Sequence, residues 1–80
     1  QALNLFNSNF MQQQAELFAK RIEKEAGDEA KRQVVLVYEI ALLRDPTSEE
    51  LTDATRLIES HGLPSLCRAI FNTNEFLFLQ

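Results

Sequence analysis

Two glycines, two prolines, one cysteine, one histidine and no tryptophan occur among the 80 residues. So little glycine and proline leaves few turn signals for a β architecture, while the many Ala, Leu, Glu, Lys, Gln and Arg residues favour helix. Cys67 is the only cysteine, which excludes an internal disulfide. With His61 the only histidine, a structural zinc site lacks most of its usual ligands. No apolar run approaches the roughly 20 residues that span a bilayer, and no signal-peptide pattern opens the chain. Basic residues never gather more than two together, as at Lys20-Arg21 and Lys31-Arg32, and the net charge is -4. No membrane span and no phosphate-tracking surface for nucleic acid are therefore expected. The start at Gln1, without an initiator methionine, points to an excerpt or a processed product.

What is present reads as helix punctuated by caps. An apolar opening, residues 2–6, fits one helical turn ahead of the cap-favouring cluster Asn7-Ser8-Asn9. Met11, Ala15, Phe18 and Ile22 then share one helical face, and Gly27 suits a left-handed helix exit, with Asp28 placed to cap the next helix. That helix, over residues 29–43, is apolar on two sides. Val34, Val37, Tyr38, Ala41 and Leu42 share one face, whereas Leu36, Ile40 and Leu43 project nearly opposite. Either neighbours cover both sides, or one side is a contact surface for another domain or subunit.

Asp45-Pro46 stops this helix, and Thr47-Ser48-Glu49-Glu50 spells a capping box for its successor. Leu51, Ala54 and Ile58 should face inward, up to an exit near His61-Gly62. Pro64 sits in a first helical turn, and Leu63, Leu66, Cys67, Ile70 and Phe71 form an apolar stripe that frays at Asn72-Thr73-Asn74. An apolar tail, Phe76-Leu77-Phe78-Leu79, follows. The expected fold is all-α: a small bundle of four main helices with a short N-terminal helical turn and an apolar C-terminal tail, residues 1–80 forming one helical domain.

Chemistry is thinly represented. A nucleophile and base would have to be Cys67 and His61, yet Cys67 lies on an apolar stripe and His61 at a helix exit, where each serves packing or the helix dipole. Glu49, Glu50 and Asp53 cluster where the dipole and the capping box already favour acids. Ser65, Arg68 and Asn72 could form the polar face of a helix-turn-helix reader, but one arginine among acids is slender support. No glycine-rich phosphate loop, haem-attachment motif or serine elbow occurs. No catalytic residue, cofactor site, metal site or small-molecule substrate is expected.

Several segments carry a family resemblance. Gln1-Ala2-Leu3 with Leu5, Asn7 and Phe10 comes first, then Tyr38, Ala41-Leu42 and Arg44 before Pro46-Thr47, with Glu50-Leu51 after. Leu66-Cys67-Arg68-Ala69, Asn72 and Asn74-Glu75-Phe76-Leu77 complete the order. Together they resemble the C-terminal planctomycete-type domain of unknown function found in large bacterial proteins that often carry cytochrome c-like domains. The chain departs from that pattern at Leu43, where glycine is common, at Asp45, where proline is common, and at Val35 and Leu36, where polar residues are frequent. The resemblance implies an exported or periplasmic parent with this domain at its C-terminal end, and assigns no activity.

The leading expectation is a noncatalytic module that packs against other domains of the parent chain or self-associates, through a surface comprising Leu36, Ile40, Leu43, Phe78 and Leu79. A polar clasp of Tyr38, Arg44, Asn74 and Glu75 is expected to hold the tail to the helix over residues 29–43, with Arg44 pairing an acid such as Glu50 or Glu75. The competing expectation is an accessory role in a catalytic or cytochrome-linked electron-transfer site built mainly by other domains.

Overall fold

Met11, Ala15, Ala19, Ile22 and Ala26 follow one another at three- and four-residue steps, so a helix through them buries all five on one side. They form the inner face of α1 (Ser8–Ala26), the first of four helices in a computed structural model that describes residues 8–73. The expected N-terminal turn and the apolar tail lie outside the described residues. α2 (Ala30–Leu42), α3 (Ser48–His61) and α4 (Leu63–Phe71) complete an all-α bundle, and no strand occurs among the described residues.

The most extensive packing joins α1 to α4, distant in sequence. The stripe Leu63, Leu66, Cys67, Ile70 and Phe71 is wholly buried, and Phe71 stacks on Phe18 of α1 with ring centroids 5.5 Å apart. A stacked pair at this separation adds to area burial. α3 supplies Ala54 to the core and rests Leu51, Leu57 and Ile58 against it. Gly62, at φ +94, lets α4 start one residue after α3 ends, with proline in its first turn.

α2 touches all three other helices. Its inner face, Val34, Val37 and Tyr38, is buried, and Leu36, Ile40, Ala41 and Leu42 pack partly against the core. α2 is thus central, with its outer side half-covered: Leu36 and Ile40 are partly buried, whereas Val35 and Leu43 are exposed among the described residues.

Gly27 closes α1 at φ +77, as its position predicts. Asp28 does not cap α2. The N-cap is Glu29, in extended conformation and without a side-chain cap hydrogen bond. The turn is instead closed from inside α2, where the buried Gln33 donates its Nε2 amide to the Gly27 carbonyl at 2.6 Å. The end of α1 gains a partner for an otherwise unpaired carbonyl, and the gap between helices is filled by the same side chain.

Candidate functional site

The candidate site is built where α2 hands over to α3. α2 ends with Leu43 in the left-handed region, φ 59 and ψ 35, its N–H donating to the Tyr38 carbonyl. Leu43 is 85% exposed, and no glycine relieves the crowding its Cβ meets in that conformation. The left-handed step turns the chain so that Arg44 points back toward α3. There its guanidinium grips Glu50 with both arms, Nη1 to Oε1 at 2.8 Å and Nη2 to Oε2 at 2.9 Å. Nη1 also donates to the Asp45 carbonyl at 3.0 Å, and the guanidinium carbon stands 5.4 Å from the Tyr38 ring centroid.

Glu50 serves two structures at once. Its Oε1 accepts from the Thr47 N–H at 2.9 Å, while the Glu50 N–H donates to Thr47 Oγ1 at 3.1 Å, completing the capping box. The Arg44 hydrogen bonds, reinforced by the Thr47 amide, hold the Glu50 carboxyl down at about 2 from an ordinary 4.5. The carboxylate is therefore committed to the turn as an anion, unsuited to proton transfer near neutral pH.

Tyr38, Glu50 and Thr73 line one shallow groove together with Ala54, Leu66 and Ile70. The described chain thus reaches its last residue beside Tyr38 and Glu50. Asn74 and Glu75, the other half of the expected clasp, lie outside the described residues, as do Phe78 and Leu79 of the expected contact surface.

On the far side of α2, Arg32, Leu36 and Glu39 fall in line at helical spacing, flanked by Val35 and Ile40, and Leu43 follows as the left-handed C-cap. Two shallow grooves of about 400 and 350 Å³ border this line. The first runs between Ala26 and Val35-Leu36, the second between Leu17-Phe18 and Ile40-Ala41. Leu17, 60% exposed, borders the second groove together with Ile40; its position off the α1 stripe is the sequence signal for it.

The other candidates are accounted for locally. Cys67 is fully buried, and that burial pushes its thiol up to about 12, so it stays protonated. His61 is exposed, its Nδ1 2.9 Å from Ser60 Oγ. Ser65 and Arg68 bond each other at 3.2 Å, and Ser65 also donates to the His61 carbonyl. Among the described residues no three His, Cys, Asp or Glu side chains are grouped so as to hold a metal ion, and no helix is long and apolar enough to cross a membrane.

Compared with known families, residues 1–58 match the family model PSD1, described as a protein of unknown function (DUF1553). The matched span takes in α1, α2, the Arg44–Glu50 turn and most of α3, and stops before α4. No curated protein and no solved structure matches the chain.

Proposed function

The chain belongs to the PSD1 family of proteins of unknown function (DUF1553), and from that premise we propose that it is a noncatalytic docking module, packing through the far side of α2 against other domains of a large exported bacterial protein. The planctomycete-type character of that parent, and its cytochrome c-like domains, rest on the resemblance of the Tyr38-to-Leu51 and Leu66-to-Leu77 motifs. One observation carries the docking role. Leu43 holds a large apolar side chain almost fully in water from a backbone conformation that suits glycine. Strain of this kind motivates a functional reading, and Leu43 directly follows α2, whose outer side carries Leu36 and Ile40.

A noncatalytic role is supported by the state of the reactive groups. The Cys67 thiol is protonated and enclosed, and the Glu50 carboxylate is occupied by Arg44 and Thr47. Arg44, spent on Glu50, is better placed to fix the turn than to complete a site in another domain.

Titration calorimetry of the 80-residue chain against the remaining domains of its parent tests this function. Leu43→Gly should weaken binding by about tenfold, the loss of one well-buried apolar anchor, while leaving the fold intact or more stable. Unchanged affinity in that variant, or no binding by the unmodified chain, would sink the docking role.

A further inference from the structure

Three charges within α2 run against its helix dipole, while the acidic Glu29 at its N-cap agrees with it. Lys31 and Arg32 stand at the N-terminal end, where the dipole is positive and acids are favoured, and Glu39 stands near the C-terminal end, where bases are favoured. α3 does the opposite, with Glu49 and Glu50 in its first turn. The arrangement in α2 therefore does not stabilise the helix that bears it. Lys31, Arg32 and Glu39 are exposed or rim a groove, and none forms an ion pair among the described residues.

An antiparallel copy of the same helix would reverse that penalty. The midpoint between Arg32 and Glu39 falls between Val35 and Leu36. A two-fold axis there sets Val35 against the partner's Leu36 and, about 5 Å along the helix on either side, Arg32 of each copy beside Glu39 of the other. Both ion pairs form together because the interface is isologous. Antiparallel helices also place each cationic end beside the other's negative dipole end. The groove between Ala26 and Leu36, rimmed by Glu25, Lys31, Arg32 and Glu39, provides the apolar floor for this contact. That rim holds two acids and two bases, so it is neutral on a chain of net charge -4 and is not repelled by its own copy.

We infer that the far side of α2 binds a second copy of this chain, as an antiparallel, two-fold α2–α2 contact centred on Val35 and Leu36 and keyed by reciprocal Arg32–Glu39 pairs. The inference rests on the docking role of the far side of α2 and assigns that face to a second copy in place of another domain of the parent.

Sedimentation velocity on the 80-residue chain over a wide concentration range is the test, with circular dichroism to follow helix content. The chain should shift with concentration from 9.2 kDa to twice that mass. Arg32→Glu and Glu39→Arg should each weaken association by about tenfold, since both ion pairs become repulsive at once. The double variant Arg32→Glu/Glu39→Arg should return to within about threefold of the original, the coupling expected of a direct pair. Both positions are exposed, and both reversals agree with the dipole of α2, so the variants should fold at least as well as the parent chain. A chain that stays monomeric up to about 1 mM, or a dimer indifferent to either reversal, overturns the inference. So does a double variant no better than the singles. If a monomeric chain still binds the parent's other domains and Leu43→Gly weakens that binding, the second-copy partner is wrong while the docking function survives. If neither contact forms, both fail.

Discussion

The two turns flanking α2 solve one problem, reversing the chain between packed helices, by opposite means. Between α1 and α2 the reversal uses a glycine at φ +77 and one neutral buried amide, Gln33, reaching back from within the next helix. Between α2 and α3 it uses a leucine at φ 59 and a set of charge-assisted bonds lying partly in water. The first is relaxed in its backbone and closed by a group that carries no charge. The second holds a strained residue in place with interactions that weaken once Glu50 is protonated. A positive φ is thus either occupied by the residue that suits it or enforced by what comes after.

The largest break in this contrast should come from Glu50→Ala. It removes the acceptor of the Thr47 N–H and both arms of the Arg44 grip, and should cost about 2 kcal/mol in chemical denaturation, a lost cap combined with a partly exposed bidentate pair. The same group sets a pH signature. Glu50 is held at about 2 when folded against 4.5 when unfolded, so its contribution is complete above pH 4.5 and fades as the pH falls from there toward 2. Glu50→Gln should flatten the stability profile in that window, and an unaltered profile would show that other carboxylates dominate acid unfolding.

Gln33→Ala probes the opposite turn and should cost roughly 1 to 2 kcal/mol, from the lost hydrogen bond and the space left beside α1. This loss should be the same at pH 3 and pH 7, which separates the two turns in one pair of measurements. Leu43→Gly should move stability the other way. Relief of left-handed strain, about 1–2 kcal/mol, outweighs the added freedom of glycine in the unfolded chain, about 0.5–1 kcal/mol, leaving a gain of about 0.5–1 kcal/mol. A loss would mean that the Leu43 side chain contributes to the fold of the chain itself. The smallest effect belongs to Asp28→Ala, within about 0.5 kcal/mol, because Glu29 and not Asp28 occupies the cap position.

Those outcomes bear on what was legible in the sequence. The stripe of α4, most of the inner faces of α1 and α2, the exits at Gly27 and Gly62 and the Thr47–Glu50 capping box could be read directly, because spacing and cap chemistry are local, although on α1 Ala19 and Ala26 are buried more deeply than the expected Phe18. Arg44 could be placed at a helix end facing an acid, but the choice between Glu50 and Glu75 depends on where the left-handed step sends the chain. Leu43 gave no local warning of that step beyond standing where the resembled family commonly has glycine. Gln33 was invisible for a different reason: a glutamine on a helix reads as surface, and only the position of the preceding helix makes its amide a plug. Asp28 misled because cap preference ranks residue types, not the angle at which two helices meet. On the far side of α2 the apolar residues could be read, whereas the opposition of its charges to the helix dipole required the observed helix limits.

The dominance of α1–α4 packing has a consequence for how the chain is made. When synthesis has reached Ile58, where the family match ends, α1 still lacks its most extensive packing partner, and Phe18 lacks the Phe71 ring that stacks on it. The helix emerging earliest of these four can pack on α2 first, but completes its packing only when the last has emerged. A release arrested between α3 and α4 would leave a chain with its local turns formed and its longest-range contact missing, a natural target for chaperones and proteases.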